Sequence, residues 1–266
     1  INLTLSSIVG VNDSLGWQAT DIGRLVRYQK GGTGAWGNAR IVSITSTLIA
    51  VADVRVDFQA TPTANAAFRL GSFSGTTGYP QVATFFEQRL YTAATTNQPQ
   101  TFWASQTADF ENMTPDDLSG AVAADDALDY TLSADSVNAI RWMSSGEDTL
   151  AIGTAGGEWV PSATGAVLSP LDITVRRQTT HGSAQVQPVR VGPVVLFVQR
   201  AKRTIREFGY SFDIDGYKAA DMTRLAQHVT TGGIAHMAFA EEPDSVIYAV
   251  RSDGQLLSMT YRRDED

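Results

Sequence analysis

The chain of 266 residues carries 28 acids against 20 bases, a net charge of −8, with 43% hydrophobic and 18% charged residues and no cysteine. That is enough chain to bury a sizeable core in one or two domains. The missing cysteines exclude a disulfide framework and a thiolate metal site, the lack of a long apolar run excludes a helical membrane span, and an acidic balance argues against tight DNA association.

The opening INLTLSSIVGVND lacks the basic region and apolar stretch of a signal peptide. The start without Met and the finish at RRDED give the expectation of a piece of a longer polypeptide, assembled in the cytosol. Residues 1–74 read as a small β module. Strand-like runs rich in β-branched and aromatic residues occur at Gly23 to Tyr28, Ala39 to Ile44, Leu48 to Val56 and Ala67 to Phe73. Between the first two lies the Gly-rich loop Lys30 to Gly37, a hairpin connection by composition. It lacks the Gly-Lys-Ser/Thr ending of a phosphate loop and opens no helix, so nucleotide binding is not expected.

Ser74 to Pro80 is the linker candidate, and the second domain is expected over 78–266. There a unit of apolar strand, polar turn, apolar strand, turn and often a third strand is repeated four times, beginning near Val82, Asn138, Val189 and Gly233. The spacing of roughly 45 to 55 residues is that of propeller blades or related arrays. A lone three-stranded unit cannot cover both faces, so each copy needs neighbours. The fold class expected is therefore mainly β, with four recognisable β-propeller-like blades behind a small N-terminal β module. Two stretches interrupt the pattern: an acidic insertion after Ala104, and Asp213 to Thr231, where AADMTRLAQHV reads as about two turns of helix. Asp253-Gly254 is a strong two-residue hairpin signal.

Charge is segregated along the chain. Eight acids and no base lie between Ala104 and Ile140, and without them the chain has 20 acids against 20 bases. From Ile173 to Arg206 there are seven bases and no acid. Such blocks set register between neighbouring surfaces. The expected subunit interface joins Asp116, Asp117, Asp125, Asp126 and Asp129 of one copy to Arg176, Arg177, Arg200, Lys202, Arg203 and Arg206 of the next. The plain alternative is two solvated faces.

No catalytic signature emerges, and the protein is not expected to be an enzyme or to hold a cofactor or metal. His181, His228 and His236 lack metal-ligand spacing. No Gly-x-Ser-x-Gly turn supports a hydrolase triad. Asp213-Ile-Asp-Gly216 imitates the start of a calcium loop, but Arg224 stands where its closing glutamate belongs. Sugar hydrolysis by the pairs Asp116-Asp117 or Asp125-Asp126 would need a carboxyl of raised pKa in a cleft. The aromatics Phe85, Phe86, Trp103, Trp142, Trp159, Phe197, Phe208, Phe239 and Tyr248 are expected to fill the space between blades. The alternative is a glycan-binding, host-surface-recognising propeller with Trp103, Trp142 or Trp159 open in a groove.

Several phrases, NQPQTFWASQTADFENM, DDALDYTL, NAIRWM, GGEWVPS, the stretch Arg176 to Tyr217, and EEPDSVIYAVRSDGQLLSMTY, together with DIGRLVRY and WGNARIVSITST near the start, resemble the tail nozzle, or tail tubular, proteins of short-tailed bacteriophages and related prophage proteins. The resemblance implies a structural virion protein of the tail, assembled in the host cytoplasm. It implies a homo-oligomeric, hexameric ring through which double-stranded DNA is ejected, in contact with portal-side adaptor proteins and tail fibres. A channel that releases DNA quickly is expected to avoid a strongly cationic lining.

Overall fold

Alternation of buried and exposed side chains decides the first sheet. The computed structural model describes residues 1–29, 36–57, 68–117, 119–134, 138–146, 148–165 and 167–262. Strands β1 (Asn2–Thr4), β2 (Leu25–Gln29), β3 (Trp36–Ser46), β4 (Ile49–Val56) and β5 (Phe68–Leu70) form an antiparallel sheet in the order β1-β4-β3-β2-β5. Ile41 and Ala50 on one face meet Val26 and Trp17, which is the core of the module. The four expected strand runs coincide with β2 to β5; β1 is too short to announce itself. Of the expected loop Lys30 to Gly37, residues 30–35 lie outside the described residues, and Trp36 and Gly37 already belong to β3.

Segment 74–80 is a hydrogen-bonded turn. Ser74 is buried, its hydroxyl accepts from the N–H groups of Thr76 and Thr77, and Ser74 and Gly78 form a bridge. Just before it, Phe73 meets Trp103 edge-on with centroids 5.0 Å apart, so the turn is packed onto the first of the repeated sheets.

Four antiparallel sheets succeed it in chain order. Sheet 1 is β6 (Val82–Phe86), β7 (Arg89–Ala93), β8 (Thr101–Ala104) and β9 (Leu128–Thr131). Sheet 2 is β10 (Ile140–Ser145), β11 (Leu150–Thr154), β12 (Gly157–Ser162) and β13 (Thr174–Thr179). Sheet 3 is β14 (Val189–Val191), β15 (Val194–Val198), β16 (Ile205–Ser211) and β17 (Gly216–Asp221), and sheet 4 is β18 (Ile234–Ala240), β19 (Val246–Arg251) and β20 (Leu256–Thr260). The fold is mainly β and propeller-like, with four blades behind a small β module.

Each sheet packs its face on the next. Phe86, Tyr91 and Phe102 of sheet 1 share a core with Met143, Ile152 and Trp159 of sheet 2. Trp142, Ala151 and Val160 on the opposite face of sheet 2 meet Val195, Phe197 and Phe208 of sheet 3. Leu196, Val198 and Ile205 of sheet 3 then meet Ile234, Ile247 and Ala249 of sheet 4. Interior strands such as β11 and β15, covered on both sides, are therefore apolar throughout. The first strands of successive sheets lie near one another, β6 by β10 and β14 by β18, but no comparable packing returns from β18 to β6 among the described residues. Among the described residues the array stays open between sheets 4 and 1.

The short helical insertion does not form. Ala219–Asp221 end strand β17, and the Asp221 carboxylate accepts from the Thr223 N–H (2.9 Å) and hydroxyl (3.0 Å), turning the chain. Separate turns at 223–226, 226–229 and 230–233 come next, each closed by a backbone bond to the third residue on. Leu225 is 94% exposed, so the apparent helical stripe has nothing to bury against.

Candidate functional site

The acidic insertion is tied down within its own chain. Asp116 is buried against two cations of the module: Arg27 Nη1 lies 2.5 Å from Oδ1, and Arg69 Nη1 donates to Oδ2 at 3.1 Å. Both guanidinium groups also lie over the Trp36 ring, about 5 Å from its centroid. Deeper in, Arg89 is fully buried and donates to the carbonyls of Ser105, Ala124 and Asp126. The Asp126 carboxylate accepts from Gln106 Nε2 and the Ala123 N–H. Asp116 and Asp126 are therefore spent on internal contacts and are corrected as surface interface residues. Asp117 is exposed and closes a turn with Ser119 and Ala121, contacts that lower its pKa; Asp125 and Asp129 are exposed.

Among the bases, Arg176 and Arg177 stand exposed on β13, with Arg177 5.9 Å from the Trp159 ring centroid. Arg200, Lys202 and Arg203 are exposed in the β15–β16 turn, beside the start of β18, whose Ile234 N–H bonds to the Lys202 carbonyl. Arg206 faces inward and donates to Gln199 Oε1 and the Ala219 carbonyl. No ion pair joins the acidic to the basic block within the chain among the described residues.

Trp142 and Trp159 are packed between sheets and Trp103 is covered by Phe73, at 0%, 4% and 6% exposure. This removes the surface on which the glycan alternative rested. Phe86, Phe197 and Phe208 are likewise core, as expected, whereas Phe85 (60%) and Tyr248 (41%) lie open. His228 and His236 are exposed, and partial burial lowers the His181 pKa, aided by Arg206. No cluster of metal-ligating side chains occurs among the described residues.

Three features go beyond the expectations drawn from the sequence. Glu158, on β12 in an otherwise apolar strand, is fully buried. Burial pushes its carboxyl above the usual glutamate range, opposed by bonds from the Thr179 hydroxyl, the Ser183 hydroxyl (2.9 Å) and the His181 N–H, and by the Arg206 charge. Sealed from solvent, it anchors the connection from sheet 2 to sheet 3. A lone acid in a run such as GGEWVPS is the signal that could have found it.

Secondly, a groove of about 300 Å³ crosses sheets 1 to 3, lined by Phe86, Glu87, Asp148, Thr149, Val160, Gln178 and Tyr217 among others. Glu87 and Gln88 both have left-handed backbone (φ 45° and 57°), and Glu87 Oε2 accepts from the Leu168 N–H at 2.9 Å. Tyr217 stacks on Phe208, centroids 5.0 Å apart and planes 13° from parallel.

Thirdly, the two ends of the arc keep apolar side chains in water. On the outward face of sheet 4, Tyr248 sits opposite Ala238 and Ser258, and Val250 opposite His236 and Leu256. Leu256 is 66% exposed. On the outward face of sheet 1, Phe85 meets Phe110 of the insertion edge-on at 5.1 Å, beside the Trp103 row roofed by Phe73.

No family model and no curated protein matches the chain. Similar solved structures include human WBSCR16 (12% identity, TM-score 0.41, covering 90% of this chain and 61% of that one). A protein from Lactobacillus plantarum has 13% identity, TM-score 0.38 and coverage of 92% and 69%. Apo AztD from Citrobacter koseri has 11% identity, TM-score 0.36 and coverage of 92% and 70%. The chain thus spans about three fifths of the length of WBSCR16. None of these is a bacteriophage tail protein, and no family or curated match supports one. The tail-nozzle assignment, with its virion location and DNA-ejection role, is corrected accordingly.

Proposed function

We propose that the chain is a non-enzymatic structural subunit that assembles with copies of itself by sheet-on-sheet stacking. The outward face of sheet 4, with Tyr248, Val250 and Leu256, would lie on the outward face of sheet 1 of the next copy, with Phe85 and Phe110. The observation that carries this reading is the exposure of Tyr248, Leu256, Phe85 and Phe110, with Val250 half-buried beside the first two, on faces equivalent to those buried at the three internal sheet interfaces. A sheet that buries one face and leaves aromatic and aliphatic groups on the other in water gains from a further layer.

Such a contact joins different patches, so it is head-to-tail and yields a ring or filament. Charge supports the same pairing: Asp129 lies on the outward face of sheet 1, and Lys202 and Arg203 lie near the start of sheet 4. The perturbed carboxyl of Glu158 gives no reason to prefer catalysis, because it is enclosed. The test is the solution mass of the full chain by light scattering across a concentration series. Concentration-dependent assembly, lost in Leu256→Asp and in Phe85→Asp, is expected. A wild-type chain that stays monomeric throughout would overturn the proposal.

A further inference from the structure

Among the described residues, the two most exposed large apolar side chains, Leu225 (94%) and Phe212 (89%), lie at opposite ends of sheet 3. Strand β16 fixes this. Its Ile205 end pairs with Val198 across the β15–β16 turn, and its Ser211 end pairs with Gly216 across the β16–β17 turn, about 20 Å away at about 3.3 Å per residue. Phe212 sits in the second of these turns. Leu225 follows β17 back to the first, where the Met222 N–H bonds to the Ile205 carbonyl (3.0 Å) and Arg203 Nη2 donates to the Gln227 carbonyl (3.4 Å).

The charges around the two side chains are opposite in sign. Asp213 and Asp215 flank Ile214 and, with Phe212, make an acidic and apolar tip, without a base from Phe208 to Tyr217. Arg224 and His228 stand exposed beside Leu225, Lys202 and Arg203 occupy the adjoining turn, and no acid occurs from Met222 to Ala240. The tip is also braced. The Asp215 N–H bonds to the Phe212 carbonyl (3.1 Å), the Tyr210 hydroxyl donates to the Asp215 carboxylate, and Tyr210 meets Tyr217 edge-on. Phe212 is thus presented in a fixed posture, which lowers the ordering cost of docking.

We propose that the Phe212 tip of one copy docks on the Leu225 knuckle of another, end to end along the strand direction. The contact rests on the reading of the chain as a self-assembling subunit and uses surfaces that the stacking of sheet 4 on sheet 1 leaves open. A second copy is the occupant because both complementary halves are present on one chain, at ends too far apart to meet each other: Phe212 and Ile214 cover Leu225, and Asp213 pairs with Arg224. One tip buries far less than the roughly 1,000 Å² of a stable interface, so single copies do not pair this way. Lateral stacking continues the internal sheet-to-sheet packing, which puts every tip on one rim and every knuckle on the other. Two such rims engage many weak contacts at once.

The experiment is sedimentation velocity of the full chain, at a concentration where lateral assembly is complete, in about 0.05 M and about 1 M salt. Low salt is expected to give species of about double the mass found in high salt, because screening removes the charge pairing while the apolar lateral contacts persist. Asp213→Arg and Arg224→Asp, both at exposed positions, are each expected to abolish the doubling, and the two together in one chain to regain part of it, since the exchanged charges meet again. Leu225→Asp is expected to abolish it with the lateral stack intact. Equal mass in both salts, single reversals without effect, or a double reversal that regains nothing would overturn the end-to-end contact alone. A chain that is monomeric in both salts would overturn lateral stacking and this contact together.

Discussion

Arg27 on β2 of the module and Asp116 in the insertion between β8 and β9 form a close ion pair, 2.5 Å apart, with Asp116 almost wholly buried. Arg69 supplies the better-aligned hydrogen bond to the other carboxylate oxygen, and Trp36 lies beneath both cations. The insertion is thus locked to the module by the Arg27–Asp116 pair, both charges largely taken out of water, where an orphaned partner is expensive.

Asp116→Asn is expected to destabilise the chain by about 3 kcal/mol, because the largely buried Arg27 guanidinium loses its counter-charge, while the more exposed Arg69 loses less. Urea denaturation measures this. Limited proteolysis is expected to cut first within the released insertion, between Gln106 and Asp126.

Glu158→Gln is expected to raise thermal stability at neutral pH. The folded carboxyl has a pKa above its unfolded value, so the acid form is favoured by folding. Its contribution is fully present below the unfolded pKa and is lost as pH rises through the folded one. Melting curves across the acid-to-neutral range are therefore expected to show a smaller fall in the variant, which stays neutral and keeps one acceptor oxygen in place of the two that take the Thr179 and Ser183 hydroxyls.

Gly153→Ala tests the interface of sheets 2 and 3. A methyl group there would come within 2.0 Å of the Trp142 ring, which is fully enclosed. The expected cost is about 1–3 kcal/mol of overpacking, read as a lowered midpoint, with the change in tryptophan fluorescence locating the disturbance.

Mixing Leu256→Asp with Phe85→Asp discriminates the geometry of assembly. Each variant retains one good end, so the mixture is expected to form a heterodimer and stop, whereas each alone stays monomeric. Sedimentation of the mixture reads this; a mixture that remains monomeric counts against head-to-tail stacking.

Runs such as LAIGT and VVLFV mark the middle strands of the sheets because both their faces are covered. The last strand of sheets 1 to 3 is hidden: LDYT, TVRRQT and GYKAAD are short, charged edge strands, as edges tend to be. Two of them fall in stretches that read as interruptions of the repeat, GYKAAD within an expected helical one. Charge segregation is visible along the chain, but the destination of Asp116 is not, since Arg27 and Arg69 belong to a different sheet. Alternation also cannot tell which apolar faces remain open, because Tyr248 and Leu256 differ from buried neighbours only in lacking a further layer. The groove is invisible for a related reason: its walls are turn and strand residues brought together from three sheets.

Each hydrophobic cluster of the arc is shared by just two sheets consecutive in sequence. Heat or denaturant can therefore unzip the array layer by layer, starting at the three-stranded terminus that has a neighbour on only one flank. Hydrogen exchange is expected to be fastest in β18 to β20 and slowest in β11 and β15, a gradient of protection that a capped terminus would flatten.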